Sequence, residues 1–596
     1  MSDSIDPQLL DYYQRELTWL RHAASLFAER YPKVARRLEL SPGECPDPHV
    51  ERLLEGFALL AARLQRRLDD DYAEFSDALL EQLYPLAMRP LPSCAIVQFE
   101  PDPSKGNLDD GYPLPRDTPL FVTTDKGQSI HFRTTAAVHL WPLEVSEAVL
   151  LGSDEAQALT GVVQARSALR LNLHCLGERQ WSTLEIDYLR VHLAASPMIN
   201  AWLYDLLGAH TVKVLAGAPG SVPEPLAGLP RIVGFASDEA LLPDEDGVHP
   251  GMRLLAEYFA FPDKFAFFDL PLAGATSDSS SLYLYIVFDR APANRLPLQA
   301  SDIALGCTPV INLFPRTSEP LRPDGTRSEY RLVADSHREN SVEIHSIRTV
   351  RATSSQGVRK VPAYYGSQHG NDQTCYWHAR RVSGMSPNRL GTDLMVSLVD
   401  TQLDPLADTR DYSLTAELLC TSRHLAQSLP AGTPLGFERP GPVAWARLRN
   451  PPSPQSLPRL DGESRWRLVS QLTLNHLSLV EGPQALDALR EILTLHNLRD
   501  EASAHRQIEG VMGLGCDRVI AHVGEDAWRG WRNGLEVRLQ LDPQHFVGSS
   551  AVLFSGVLAQ FFSLYATANR FVRTVLVQSD REVKTWQPQA GKPLTL

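Results

Sequence analysis

From Leu10 onward, large apolar and aromatic residues recur at Leu10, Tyr13, Leu17, Leu20, Ala24, Phe27 and Tyr31, a spacing of 3, 4, 3, 4, 3, 4. That alternation is a narrow helical seam, of the kind that packs against other long helices, and not the broader face of an ordinary surface helix. It predicts a helix from about Pro7 to Tyr31, capped by Asp6, with Pro7 in its first turn and a stop at Tyr31-Pro32. A second helix is predicted from Asp47-Pro48, striped by Val50, Leu53, Phe57, Leu60, Leu64 and Leu68. A third stripe, Tyr72, Phe75, Leu79 and Leu83, ends at Pro85. Burying one Leu or Phe is worth about 1.5–3 kcal/mol, so a stripe of six offsets the entropy of ordering a helix only if it finds a partner face. Leu10, Tyr13, Leu17, Leu20, Phe27, Leu53, Phe57, Leu60 and Leu64 are therefore the candidate interface residues.

Beyond residue 92 the period changes. Cys94 to Phe99, Leu120 to Thr124, Leu169 to His174, Leu282 to Phe288 and Pro309 to Phe314 read as strands, the fourth apolar on both faces and so central in a sheet. Short helices are expected at Ile199 to Leu207 and Gly251 to Ala260, and others at Trp466 to Leu479, Leu486 to Leu495 and Ala551 to Tyr565. The polar stretch from Arg351 to Gly391 reads as loops, and Asn450-Pro451-Pro452-Ser453-Pro454 as a linker. Forty-four prolines and 37 glycines suit a loop-rich β body. A length of 596 residues exceeds what one core supports and implies about three to five domains.

A net charge of −14 argues against a free-standing nucleic-acid binder, which would carry a basic face. The basic run Arg63-Leu64-Gln65-Arg66-Arg67 sits beside Asp69-Asp70-Asp71 and reads as a solvated, self-compensating helix surface. The opening residues lack a signal-peptide pattern, and no run reaches about 18 apolar residues, so neither secretion nor direct membrane insertion is expected. Seven scattered cysteines read as reduced thiols.

Constellations that carry chemistry are weak. His369, Cys375 and His378 lack a fourth ligand and paired spacing for zinc. Gly513-Leu514-Gly515-Cys516-Asp517-Arg518 has two of the three glycines of a dinucleotide fingerprint and no framing βαβ unit, so it reads as a turn. The aromatics from Tyr258 to Phe268, like Phe554, Phe561 and Phe562, read as core. No catalytic, cofactor-binding or metal-ligating residue is assigned.

Several longer runs carry a family likeness. They are Asp47-Pro48-His49-Val50-Glu51-Arg52-Leu53-Leu54-Glu55-Gly56-Phe57, then Leu83-Tyr84-Pro85 with Arg89-Pro90-Leu91-Pro92-Ser93. Further on stand Glu257-Tyr258-Phe259-Ala260-Phe261-Pro262-Asp263-Lys264-Phe265, Cys307-Thr308-Pro309-Val310-Ile311-Asn312-Leu313-Phe314 and Phe554-Ser555-Gly556-Val557-Leu558-Ala559-Gln560-Phe561-Phe562. Together they resemble the TssF (ImpG/VasA) baseplate subunits of type VI secretion systems over nearly the whole chain. The family usually has proline where this chain has Ala73, so the second and third helical stripes are free to merge.

The resemblance implies an α+β protein: an N-terminal long-helix arm followed by a β-rich multidomain body resembling contractile-tail baseplate wedge proteins. The expected division is 1–92 helical arm, 93–300 and 301–450 β-rich domains, and 451–596 a C-terminal α+β domain. The implied role is structural, with no enzymatic turnover and no cofactor. The implied partners are TssG (two copies of this chain to one), a second copy of itself, TssK, TssE, a VgrG hub and the sheath. The implied place is the cytoplasm, at the inner face of the membrane through partner proteins. The rival readings are a β-rich hydrolytic enzyme, acting for instance on carbohydrate, and a soluble assembly adaptor.

Overall fold

A computed structural model describes residues 7–31, 33–34, 48–124, 127–177, 179–244, 248–292, 296–355, 357–365, 375–384, 391–403, 406, 412–437, 441–472, 485–522, 531–566 and 570–590. Its helices among these are α1 (Pro7–Arg30), α2 (Pro48–Leu83), α3 (Ser153–Thr160), α4 (Pro197–Ala209), α5 (Pro250–Ala260), α6 (Gly462–Leu472), α7 (Ala485–His496), α8 (Ala502–Glu509) and α9 (Ala551–Phe562). The chain divides into two compact units. One comprises Met1–Glu81 with Arg459–Leu472, and the other Gln82–Pro458 with Thr473–Leu596.

The first unit is helical. The stripes expected as two helices form the single 36-residue α2, about 54 Å long at 1.5 Å per residue. Ala73 permits this, because a proline there would remove a backbone N–H and clash with the preceding turn. The Arg465 guanidinium, on α6, bonds the Asp77 carboxylate of α2 and so fastens a helix nearly 400 residues distant in sequence into this unit.

The second unit is built mostly of antiparallel sheets. The largest has six strands, ordered Gly436–Phe437, Pro119–Thr123, Ser129–Thr134, Cys307–Ile311, Cys94–Pro101 and Val443–Leu448. It draws strands from both sides of residue 300, so its core (Val97, Phe99, Leu120, Phe132, Val310, Val443) joins segments far apart in sequence. The strand Ser281–Phe288 lies between Thr211–Gly217 and Ser167–Cys175, which is the central position its two apolar faces predict.

Three local expectations fail. The described residues of the stretch from Arg351 to Gly391 are mostly strand: Glu343–Ser354, Gly357–Val361 and Tyr376–Ser383 pair with neighbours, and residues 356, 366–374 and 385–390 lie outside the described residues. Arg351, Thr353 and residues 357–360 lie outward on a sheet whose inner face carries Val350, Ala352 and Val361, while Arg381 is buried and donates to Ile344 O and His345 O, so low hydrophobicity misled. The segment 450–454 is a strap along the Cys94–Pro101 strand: Ile96 N donates to Asn450 Oδ1 (2.7 Å), and Ser453 N donates to Cys94 O (2.8 Å). Prolines exclude regular pairing, but the remaining groups still serve a strand as partners. Gly513 to Arg518 lies inside the strand Val511–His522, paired to Trp531–Leu541.

The C-terminal sheet contains a parallel pair, Trp531–Leu541 with Phe571–Gln578, and α9 is in the crossover between them. Nearly every α9 residue is buried, as its apolar sequence requires. Gly251 makes this possible on one side: a Cβ there would lie 2.5 Å from Gln560 O, so only glycine lets α5 approach the α9 backbone. The aromatic run expected as core is core: Tyr258, Phe259, Phe261, Phe265, Phe267 and Phe268 are all buried.

Beside them lies a buried charge network. Glu257 Oε1 accepts from the backbone N–H groups of Leu241 and Leu242, both at 2.9 Å, while its other oxygen pairs with Lys264, and Arg253 lies 3.6 Å away. Burial pushes the Lys264 ammonium below its ordinary range, against the pull of Glu257. Removing one partner of such a pair strands the other, which typically costs about 3–5 kcal/mol. Glu257→Ala is therefore expected to lower the denaturant midpoint strongly. Glu257→Gln, which keeps an acceptor for the two N–H groups, should cost less, and equal loss in both variants would contradict this account.

Candidate assembly interface

The first unit places the candidate interface residues on two helices. Both begin with a proline at the first helical position, where the absent N–H has no partner to lose. The helices are tied by Arg21 and Glu51: Arg21 Nε donates to Glu51 Oε1 at 3.1 Å, and Nη2 donates to the same oxygen. Hydrogen bonding to Glu51 holds the Arg21 guanidinium above its ordinary range.

On α2 the two sides of the helix are used in an unusual way. At about 100° per residue, Leu53, Phe57, Leu60 and Leu64 fall within a sector of about 60°. They are 73, 61, 60 and 65 % exposed. Glu51, Ala58 and Ala62 lie roughly 130–170° away around the helix, and both alanines are completely buried. The helix thus hides its small residues and shows its large ones. An ordinary surface helix does the reverse. Leu68, Tyr72 and Phe75 continue the pattern in sequence, but their side chains lie outside those described.

On α1 the seam is turned inward. Tyr13, Leu17, Leu20 and Ala24 are half-buried, and the seam is open toward its ends, at Leu10 (40 %), Phe27 (38 %) and Tyr31 (49 %). The sequence reading missed Trp19 and Leu26, which are 64 and 53 % exposed. They are seven residues apart, so they share a face about 140° from the seam. That seven-residue interval was the available signal, hidden by the stronger seam beside it.

Monomeric proteins rarely leave contiguous large apolar residues open unless they mark an interaction site. Covering the four α2 residues would gain on the order of 6–12 kcal/mol before costs. Association itself costs about 4–15 kcal/mol, so the stripe alone does not suffice and needs further contact surface.

The sites weighed for chemistry do not assemble. Cys375 is buried in an apolar cluster, His378 lies on the strand Tyr376–Ser383, and His369 falls outside the described residues. No group of three or more metal-ligating side chains occurs among the described residues. None of their helices is long and apolar enough to cross a membrane.

Against this geometry stand the likenesses to known proteins. The family described as "Type VI secretion system, TssF" matches residues 5–593. A curated relative, the type VI secretion system component TssF1 of Pseudomonas aeruginosa, is 34 % identical over 622 aligned positions, which cover 98 % of this chain and 99 % of the relative. A chain in a cryo-electron microscopy structure of the TssK-TssF-TssG baseplate subcomplex superposes with a TM-score of 0.71 at 24 % identity, covering 90 % of this chain and 99 % of that one. A second, in the baseplate complex of a type VI secretion system, gives 0.61 at 24 % identity, with 98 and 99 % covered. At that identity the two structures speak to the fold, which they share with this chain.

Proposed function

Because the chain belongs to the TssF family of type VI secretion systems, we propose that it is a structural part of a contractile baseplate and acts by stoichiometric assembly without turnover. The single observation that carries the interface is the α2 stripe, four large apolar residues with their alanine side buried and their leucine side open. Partners of matching chemistry are long helices with an apolar seam. One chain of similar fold occurs in a TssK-TssF-TssG subcomplex and another in a baseplate complex, and we take a TssG-like chain and a second copy of this chain as the first candidates for the stripe. TssK would dock on other surfaces. TssE, a VgrG hub and the sheath would be further partners, and the whole would gather at the inner face of the membrane through its partners.

The mechanism is positional. A rigid first unit, cross-tied by Arg21–Glu51 and Asp77–Arg465, presents the stripe in a fixed line. Bistable contacts between neighbouring assemblies are a common route to large concerted motions, and contraction would use them. Co-expression with a TssG-like and a TssK-like chain, followed by native mass spectrometry, tests the reading. The expected result is one stable complex with two copies of this chain per TssG. A chain that remains monomeric beside both partners would sink the scaffold role.

A further inference from the structure

The strand Val511–His522 lies at one end of the C-terminal sheet, followed in order by Trp531–Leu541, Phe571–Gln578 and Arg581–Thr585. One of its edges pairs with Trp531–Leu541, and the other pairs with no strand among the described residues. Every second residue of such an edge turns its N–H and C=O away from the sheet, which makes it a template for another strand. Proteins usually blunt a long edge with proline, lysine, a bulge or a short length. This one has twelve residues, with no proline and no lysine, and its irregularity lies at the start, between Val511 and Gly513. Arg490 Nη2 donates to Val511 O (2.7 Å) at that same end. Farther along, Gly513 and Gly515 leave the backbone bare, and Gly515, Asp517 and Arg518 are exposed.

The residues on the edge point to a second copy of itself as the occupant. Two identical edges meet antiparallel about a two-fold axis normal to the sheet, so each face stays with itself and opposed residue numbers share a fixed, even sum. An axis centred on Asp517 or Arg518 would set like charges directly opposite, which is destabilising. An axis centred on Cys516 sets Leu514 opposite Arg518 and Gly515 opposite Asp517, with no like charges opposed. It also sets Met512 opposite Ile520. These two are the exposed large apolar residues of the strand, at 52 and 67 %, and they stand four residues to either side of Cys516. An axis centred on Gly515 would leave Ile520 opposite Gly510, outside the strand.

We propose that the strand Val511–His522 pairs edge to edge with the same strand of a second copy of this chain, in the register centred on Cys516. Gly513–Val519 would form the ladder, with Met512 against Ile520 at both of its ends. The sheet would then continue across two chains, and the two-fold axis uses up this edge in a closed pair. None of these residues belongs to the α2 stripe, so the contact is a second route between copies and does not depend on the first.

Sedimentation velocity of the full chain carrying Leu60→Asp and Leu64→Asp reads this contact without the α2 stripe. The expected result is a reversible dimer. Ile520→Lys, which puts a charge opposite Met512, should raise the dissociation constant at least tenfold. Ile520 is mostly exposed, so that variant should keep its melting temperature. A chain that stays monomeric, or an Ile520→Lys variant that dimerises as before, would overturn the pairing. Disulfide trapping with diamide reads the register, in a Cys45→Ser background because Cys45 lies outside the described residues. Opposed residues of an antiparallel pair have Cα atoms about 4.5–5.5 Å apart, within disulfide range. The two Cys516 thiols would pass two electrons and two protons to the azo group of diamide, which becomes a hydrazine, as the S–S bond forms. Cys94, Cys175, Cys307, Cys375 and Cys420 are buried, whereas Cys516 is partly open. Peptide mapping should find Cys516 joined to Cys516, in a yield that falls at least tenfold in Ile520→Lys. A dimer without that link, or an equal yield in the variant, would overturn the register. Amide-exchange protection of Gly513–Val519 that appears only when a TssG-like chain is added would overturn self-pairing in favour of a partner's strand. Complex formation with TssG-like and TssK-like chains judges the scaffold role separately, and Ile520→Lys should leave it intact.

Discussion

Leu60→Asp combined with Leu64→Asp is expected to abolish capture of a TssG-like partner while leaving the melting of the isolated chain unchanged. Both residues are more than half exposed, so an aspartate at either position keeps its water and disturbs no internal packing. In a complex the same carboxylates would be driven into an apolar contact, where an unpaired charge is far more costly than the lost leucine contact. A loss of at least a hundredfold in affinity follows, about 2.7 kcal/mol or more. Pull-down and gel filtration of the co-expressed pair read it directly, and unchanged capture would show that the stripe is not the partner surface. The parallel pair Leu17→Asp and Leu20→Asp behaves differently. Those residues are half-buried within the chain, so the expected result is a lower melting temperature of the helical unit as well as lost binding. The contrast between the two pairs separates interface from core.

Acidification from pH 7 to pH 5 is expected to destabilise the second unit by several kcal/mol. Three of its histidines are buried and held neutral. Burial depresses His192 to about 3 and His496 to about 4. It pushes His345 well below the ordinary range, with Arg89 and Arg381 adding to the effect. The sign follows from where the protons go. Each pKa is lower folded than unfolded, so the stabilisation is complete above about 6.5 and is lost as pH falls, because the unfolded chain takes up protons the folded one refuses. At pH 5 His192 and His496 have each forfeited about 2 kcal/mol, and His345 acts in the same sense. Asp205 works in the opposite direction. It accepts from the Ser550 hydroxyl and the Val552 N–H at the start of α9, and burial raises it to about 6, so it gains about 1.3 kcal/mol as pH falls from 7 to 5. Glu100 and Asp263 are raised as well and act in the same sense. Three losses outweigh these gains. Calorimetric scans at the two pH values should show a lower melting temperature at pH 5. His496→Gln, which can still donate to Ile492 O, should flatten the pH slope by about 2 kcal/mol between pH 7 and pH 5. A melting temperature that rises between pH 7 and pH 5 would contradict the argument.

Helix positions were legible in the sequence wherever apolar spacing was strong. Gly251 to Ala260, Leu486 to Leu495 and Ala551 to Tyr565 coincide closely with α5, α7 and α9. The double-faced strand Leu282 to Phe288 also lies where its pattern put it. Failures fall where composition substituted for pairing. A polar sequence between Arg351 and Gly391 was taken for loops because strand pairing is a relation between distant segments, and its backbone half leaves no trace in side-chain polarity. The same holds for Gly513 and Gly515, whose partners across the ladder are Gln540 and Arg538.

The candidate interface was half legible. The sequence marked the stripes but gave both helices equal standing. Periodicity measures whether one side of a helix is apolar, and says nothing of which apolar side a neighbour of the same chain already covers.

What the sequence alone determined is the local layer: a long-helix segment at the start, a strand-rich body after Pro92, and large apolar residues in register along α1 and α2. The tertiary structure alone decided that Arg465 returns to join the first helices, that one sheet spans residues 94 to 448, and that Leu53, Phe57, Leu60 and Leu64 stay open while Ala58 and Ala62 are covered. The reason is physical. Helical periodicity is set by neighbours within about four residues along the chain, whereas coverage is set by whichever distant segment packs most closely, and small side chains such as alanine allow a closer approach than leucines would.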